Sequence, residues 1–247
     1  MFPIHDDNPT HRWPFVTVAL IAACIVIYFW QVSLGPRAGA AAVYSFGFIP
    51  ALLFTDAALP PDLAVVPTSA TLFSSMFLHG GFMHLAGNML YLWVFGNNIE
   101  DVCGHVRFLA FYLACGVAAA FAQAVPDPGS EVPMIGASGA ISGVLGAYLL
   151  LFPHARVHVL IPFGFLWVHT IPAGWLLGFW FVFQLLSGVW SDPSQPGVAF
   201  WAHIGGFVAG MALIFAFRDR RFRIGGGRRA RVRGRSRVPP SRSGPWD

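Results

Sequence analysis

Charged residues are scarce in this sequence, and lysine is missing altogether. Asp, Glu and Arg make up 11% of the 247 residues, and hydrophobic residues make up 56%. A soluble domain carries about 25% charged residues, so this chain cannot cover a surface that faces only water. All 15 basic residues are arginines, and eleven of them lie between Arg218 and Arg242. The composition therefore excludes an ordinary soluble protein and predicts one that contacts lipid.

Cysteine is also rare, which limits the chemistry. Cys24, Cys103 and Cys115 are an odd number of thiols without the spacing of metal ligands. We therefore expect three unpaired thiols, with no metal site and no cofactor. No cleavable signal peptide is evident, because the first apolar run is long and lacks a cleavage site.

Six apolar runs are long enough to cross a bilayer. A helix needs about 20 mostly apolar residues to cross about 30 Å of hydrocarbon. The runs are residues 15–34, 79–97, 106–125, 134–152, 171–189 and 198–217. Residues 157–168 form a shorter apolar stretch, broken by Pro162 and Gly164, which we expect at the membrane interface. The predicted fold is an all-α membrane protein, a six-transmembrane-helix bundle.

The arginines predict the orientation of this bundle. With six spans, 14 of the 15 arginines share one side with both termini, and only Arg37 lies on the other. Arginine is enriched in cytoplasmic loops, so both termini are predicted to be cytoplasmic. The chain then divides into a cytoplasmic segment (1–14), a six-span domain (15–217) and a disordered Arg-rich tail (218–247). The long first loop, residues 35–78, is rich in apolar residues and is predicted to rest on the membrane surface.

The Arg-rich tail has two possible partners on charge grounds. Anionic lipid headgroups attract each nearby basic residue by about 1 kcal/mol, and nucleic acid attracts basic segments through its phosphates. The tail lacks aromatic or folded recognition features. We therefore expect lipid headgroups as its partner, and no nucleic acid.

Polar side chains cluster near one end of three predicted spans. His84 and Asn88 lie in the first part of the second span, Ser138 near the start of the fourth, and His203 near the start of the sixth. These three spans run in the same direction and rise about 1.5 Å per residue, so the groups share a shallow depth. Polar groups within spans are costly, and their convergence predicts a functional site.

Ser138 and His203 together indicate nucleophilic catalysis. A serine hydroxyl needs an adjacent base, and a neutral His203 imidazole can take that proton and return it to a leaving amine. No Asp or Glu lies deep in a predicted span, so we expect a pair rather than a triad. The Ser138 backbone N–H, with His84 and Asn88 one helical turn apart, can supply donors to an oxyanion.

Each of these motifs taken alone is also typical of helix packing. The small residues from Gly136 to Ala147, and the glycines at 206 and 210 that follow His203, allow close approach of helices. A transporter or channel is a further alternative, but it predicts an intramembrane path of charges or an inverted repeat. Neither is apparent in the sequence, and the common depth of the polar groups favours catalysis.

Together the motifs resemble the rhomboid family of intramembrane serine proteases. The matching segments, in order along residues 14–217, are His79-Gly-Gly-Phe-Met-His84-Leu-Ala-Gly-Asn88, Gly96-Asn-Asn-Ile-Glu100-Asp-Val-Cys-Gly104 with Arg107-Phe108, Gly136-Ala-Ser138-Gly139, and Ala202-His203-Ile-Gly-Gly-Phe-Val-Ala-Gly210. The resemblance implies that Ser138 is the nucleophile, His203 the base, and His84 and Asn88 the oxyanion donors. The positions expected to support this site are His79, Gly136, Gly139, Ser142 and Gly206.

The resemblance also implies the substrate and the location. Substrates would be membrane-anchored proteins, cut near the outer end of a helix that unwinds easily. A compact six-span form indicates a multi-pass protein of the bacterial cytoplasmic (inner) membrane. The rival within the family is a non-catalytic protein that binds membrane clients, but such relatives typically lose the nucleophile or the base.

The sequence departs from the family pattern in two places. The residue four positions after the nucleophile is often an aromatic that stacks on the catalytic histidine, and here it is Ser142. We therefore expect His203 to be oriented by the Ser142 hydroxyl or by another aromatic ring. Ala70 and Thr71 replace a Trp-Arg pair that is common in the first loop.

Overall fold

The computed structural model describes residues 2–163, 165–191, 197–225 and 227–228, and most of them are helical. The described helices are α1 (Phe15–Ser33), α2 (Gly35–Phe46), α3 (Pro50–Phe54), α4 (Thr68–Ser74), α5 (Phe82–Tyr91), α6 (Asn97–Cys103), α7 (His105–Ala124), α8 (Ser138–Leu151), α9 (Ala173–Trp190) and α10 (Phe200–Phe217). The strands are β1 (Phe2–Asp6), β2 (Arg156–Phe163), β3 (Phe165–Pro172), β4 (Phe222–Arg223) and β5 (Gly227–Arg228).

Four of these helices, α1, α7, α9 and α10, are long and apolar enough to cross a membrane. Their mean hydropathy ranges from 1.4 to 2.3, and large apolar side chains such as Val26, Phe179 and Val189 are exposed on them. Their bounds agree within two residues with the corresponding predicted runs. The prediction of a mostly helical membrane protein is therefore confirmed.

The remaining two predicted runs have different bounds in the structure. The second begins as α5 and continues into α6 through a π-helical turn, Leu92–Gly96. The fourth, α8, begins at Ser138 instead of residue 134 and has 14 residues. Its start is delayed because Met134 exchanges backbone hydrogen bonds with Phe48, and because Gly136 has a φ of +119°, which a helix does not allow.

Helix α8 lies at the centre of the bundle and contacts α10 backbone to backbone. A Cβ atom added to Gly206 would overlap the carbonyl oxygen of Gly139, and one added to Gly210 would overlap that of Gly143. Small residues permit such contacts, and close packing helps to hold helices together where lipid removes the hydrophobic driving force between them. The packing role proposed for these small residues is therefore real, and it fixes the distance between the helices that carry Ser138 and His203.

The first loop is helical rather than extended, as α2, α3 and α4 occupy much of it. Within the loop, the Ser74 hydroxyl at the end of α4 donates to the carbonyl of Phe46 at the end of α2 (2.7 Å). The Ala51 N–H donates to the Ser130 carbonyl (3.0 Å), which attaches the loop to the segment before α8. The loop therefore forms an ordered substructure beside the Ser138 end of α8.

A three-stranded antiparallel sheet contradicts the all-α prediction. Strands β2 and β3 form a hairpin from the stretch expected at the interface, and β1 pairs with the free edge of β2. Val157 and Val159 are fully buried against the bundle while His158 between them faces outward. This alternation with a period of two is the pattern of a half-buried strand. A strand was not predicted here from the sequence because the alternating stretch is short.

The N-terminal strand is attached to the bundle through a buried carboxylate. Asp6 accepts hydrogen bonds from the Tyr148 hydroxyl (2.5 Å) on α8 and from the Asn98 amide (2.9 Å) on α6. Burial raises the pKa of Asp6, and the two hydrogen bonds partly oppose that effect. One side chain thus ties the N-terminal segment to two helices at the end of the bundle opposite Ser138.

The beginning of the Arg-rich tail is ordered, which corrects the prediction of disorder for residues 218–225. The Asp219 N–H donates to the Val102 carbonyl and the Gly225 N–H to the Leu150 carbonyl, both at 2.9 Å. Phe222 between them is buried. Most of the remaining tail, including the proposed lipid-binding arginines from Arg229 onward, lies outside the described residues.

Replacement of Gly206 by Ala tests the contact between α8 and α10. The new methyl group meets the Gly139 carbonyl, and overpacking of this kind costs roughly 1–3 kcal/mol. We expect a lower midpoint of thermal unfolding in detergent, followed by tryptophan fluorescence. Gly178→Ala is the matched control, because no atom lies within 4 Å of the Cβ position there. Equal midpoints for the two variants would contradict the close contact.

Asp6→Asn tests the burial of the Asp6 carboxylate. The pKa of Asp6 is higher in the folded state than in the unfolded state, where it is about 3.9. The shift therefore adds its full contribution to the free energy of unfolding below the unfolded pKa, and this contribution is lost as the pH rises through the folded pKa. We expect the unfolding midpoint of the wild type to fall more steeply with rising pH than that of Asp6→Asn. Asp62→Asn, at an exposed carboxylate, should keep the wild-type slope. Parallel curves for wild type and Asp6→Asn would refute the assignment.

Candidate active site

Ser138 and His203 are hydrogen-bonded to each other. Ser138 is the first residue of α8, and His203 lies one turn inside α10. The Ser138 Oγ is 2.8 Å from the Nε2 atom of His203. The contact between Gly139 and Gly206, each close in sequence to one of the pair, allows this approach. Gly139 and Gly206 therefore act through helix packing. The structure brings Ser138 and His203 together, as the sequence predicted.

The other ring nitrogen of His203 contacts a residue that the sequence did not identify. Nδ1 lies 2.8 Å from Oε1 of Gln184, a buried residue on α9. An amide oxygen only accepts hydrogen bonds, so Nδ1 carries the proton and the Nε2 lone pair accepts the Ser138 hydroxyl. This is the tautomer that a general base requires. The only sequence signal for Gln184 is a polar amide within a strongly apolar span.

Ser142 does not orient His203, which corrects one of the two expectations for that ring. Its hydroxyl donates to the backbone carbonyl of Ser138 at 2.7 Å. The other expectation, a different aromatic ring, is met by Trp180 on α9, whose ring centroid lies 5.9 Å from that of His203 at an angle of 35°. Ser142 instead stabilises the first turn of α8 and lines the cavity described below.

The side chains of His84 and Asn88 lie beside the segment that precedes Ser138. Nδ1 of His84 accepts a hydrogen bond from the Gly80 N–H (3.4 Å), which leaves Nε2 as the protonated donor. Among the described residues, the buried Asn88 amide nitrogen has no hydrogen-bond partner. Buried donors without a partner are rare in native proteins and call for an explanation. A bound anionic oxygen would accept hydrogen bonds from both the His84 Nε2–H and the Asn88 amide.

Gly136 permits this arrangement for two reasons. Its φ of +119° lies in a region that L side chains rarely adopt, and a Cβ at this position would overlap the His84 ring. Its N–H donates to the Ser75 carbonyl at 2.8 Å, which fixes the turn before α8.

His79 is more remote from Ser138. Its ring packs against that of His84, with the ring centroids 5.2 Å apart, and its Nδ1 lies 3.2 Å from the Phe77 carbonyl. His79 thus packs against the ring of His84 and supports its position.

The site opens into a cavity of about 980 Å³. Ser138, His203, His84 and Asn88 all line it, together with apolar side chains of α9, α10 and the segment before α8, among them Met134, Ile135, Trp180, Phe200 and Trp201. A pocket that combines apolar walls with a few convergent polar groups is the usual form of a ligand site.

The family model described as "Rhomboid domain" matches residues 66–220, which include every polar residue of this site. This chain belongs to the rhomboid family. It is 31% identical over 154 residues to "Rhomboid protein 1, mitochondrial" of Saccharomyces cerevisiae, a match that covers 59% of this chain and 41% of the relative. It is 34% identical over 144 residues to "RHOMBOID-like protein 5" of Arabidopsis thaliana, with 58% and 42% covered.

A bacterial relative is more similar over a shorter region. The rhomboid-family chain is 46% identical over 78 residues to "Rhomboid protease GluP" of Bacillus subtilis, a match that covers 32% of this chain and 15% of that protein. In all three cases the chain spans less than half the length of the relative.

Gly136→Ala tests the turn before Ser138. The substitution places an alanine at a sparsely populated positive φ, which costs about 1–3 kcal/mol, and also forces its methyl group into His84. Gly35→Ala is the matched control, because φ there is +76° and no atom lies within 4 Å of the new Cβ. We expect Gly136→Ala to lower the thermal unfolding midpoint more than Gly35→Ala does. Equal losses would show that His84 does not pack against this turn.

Proposed function

We propose that this chain is an intramembrane serine endopeptidase that hydrolyses peptide bonds in or near the transmembrane segments of membrane-anchored proteins. The observation that carries the proposal is the 2.8 Å hydrogen bond between Ser138 and His203 at the wall of a large cavity. A serine hydroxyl bonded to a neutral imidazole is the arrangement that activates serine for attack. Membership of the rhomboid family supports the same conclusion.

The proposed reaction begins with attack of Ser138 Oγ on the scissile carbonyl. His203 Nε2 takes the hydroxyl proton and then donates it to the leaving amine, and water later releases the acyl group by the same route. The Ser138 N–H, the His84 Nε2–H and the Asn88 amide would bind the tetrahedral oxyanion. Loss of one such donor typically lowers kcat by about 10²–10³-fold. No step of this scheme requires a metal or a cofactor.

The proposal includes a six-span arrangement of residues 15–217 with both termini in the cytoplasm. Its support is that Ser138 lies at one end of the bundle, whereas Arg12, Arg107 and Arg156 lie at or near the other. The cavity would then open toward the outer leaflet, and substrates would be cut near their outer membrane boundary. Arginines of the tail would bind anionic headgroups at the inner surface.

A location in the bacterial cytoplasmic membrane is part of the same proposal. It is supported by the similarity to the Bacillus subtilis protein. Because other relatives carry the word mitochondrial in their names, a mitochondrial membrane is the alternative location.

Cleavage of a single-span model substrate by the purified protein in liposomes tests the proposal. We expect one cut near the outer boundary, mapped by mass spectrometry, and a rate that falls about 10³-fold or more in Ser138→Ala and in His203→Ala. Ser33→Ala and His169→Ala replace exposed residues of the same types and should cleave normally.

Cleavage that survives Ser138→Ala would refute the proposed mechanism. If the folded wild type cleaves no membrane-anchored substrate, the non-catalytic, client-binding role becomes the better account.

A further inference from the structure

Gln184 is a buried amide on an otherwise apolar helix face. It is 6% exposed, and the residues around it on α9 are mainly aromatic or aliphatic. A polar group inside a membrane span is unfavourable unless it has a partner. Its amide oxygen bonds to His203 Nδ1 at 2.8 Å, so the partner is the imidazole that contacts Ser138.

The position of Gln184 is fixed by packing on both sides. One turn before it, the Phe181 ring stacks on Phe207 of α10 with centroids 4.6 Å apart. One turn after it, a Cβ on Gly188 would contact Ile204 and Phe200 at 3.4 Å, which shows how closely α9 approaches α10 there. These residues recur at intervals of three or four, so they form one stripe of the helix. A side chain held between two such contacts is preorganised.

We propose that Gln184 is the positioning residue for His203, an inference that rests on the proposed function. Its oxygen keeps the proton on Nδ1 and turns the lone pair of Nε2 toward Ser138. In a Ser-His-Asp triad a carboxylate has this role. A neutral amide supplies the same acceptor without a charge inside the membrane, where a carboxylate would be costly.

The hydrogen bond between Gln184 and His203 joins two helices. Since Gln184 is on α9 and His203 on α10, the hydrogen bond between them exists only while α9 lies against α10. A movement of α9 away from the cavity would break it and release the His203 ring.

The test measures the rate at which an alkyl fluorophosphonate probe modifies Ser138 in the full-length protein, together with kcat and KM for a model substrate. Gln184→Leu keeps the approximate size of the side chain and removes the acceptor. We expect a loss of roughly 10- to 100-fold in labelling rate and in kcat, part of the 10²–10⁴-fold that general-base catalysis supplies, with little change in KM. Leu186→Ala, on the exposed face of α9, is the control and should react at the wild-type rate.

Gln184→Glu separates positioning from packing because it restores the acceptor. We expect it to recover most of the labelling rate. The pH of half-maximal labelling should rise, because a carboxylate at this place stabilises the protonated imidazole. A thermal unfolding midpoint for each variant shows that it is folded.

The outcomes distinguish this inference from the function on which it rests. If the probe does not modify wild-type Ser138, the proposed mechanism itself is wrong. If the wild type reacts and Gln184→Leu reacts equally fast, only the role of Gln184 is refuted. A folded Gln184→Glu that remains as slow as Gln184→Leu, with no change in pH dependence, would also overturn it.

Discussion

Helices α8 and α10 touch through their backbones, because glycines stand where Cβ atoms would otherwise meet carbonyl oxygens. Lipid is as apolar as a leucine side chain, so the helices gain little from hydrophobic burial and depend on close packing instead. Ser138 and His203 lie beside the contact between Gly139 and Gly206, and the 2.8 Å bond between Ser138 and His203 requires that helix separation. The packing role of the small residues and the chemical role of the pair are therefore two aspects of one constraint.

The polar groups of the site are arranged so that no charge is needed inside the bundle. His203 is held by the neutral amide of Gln184, and His84 accepts from the Gly80 N–H. The donors of His84 and Asn88 face the segment before Ser138, where the proposed reaction would place an oxyanion. Donors fixed before the reaction need no reorganisation during it, which is the main advantage of a preorganised site. The surrounding cavity combines apolar walls with a few polar groups.

The sequence predicted which residues of the candidate site lie together, with the exception of Gln184, because they lie near the ends of long apolar runs. That placement gives Ser138, His203, His84 and Asn88 one depth without knowledge of the fold. Gln184 was not predicted, because a lone amide in an apolar helix does not show which neighbour it faces; that depends on the rotation of α9. The β2–β3 hairpin was missed because its alternating pattern is short, and β1 was missed because it pairs with residues more than 150 positions away, a contact that no local pattern specifies. The start of α8 was misjudged because apolar composition continues through residues 134–137, where Gly136 prevents a helix.

The central claim is that His203 activates Ser138 and no other serine in the cavity. Peptide mass spectrometry after treatment of the intact protein with a fluorophosphonate tests it most directly, because it identifies the modified residue without any choice of substrate. We expect a single adduct in this region, on Ser138, and its loss in His203→Ala. Ser142 is one helical turn away and lines the same cavity, so it is an internal control. An adduct on Ser142, or modification of Ser138 that persists without His203, would contradict the account.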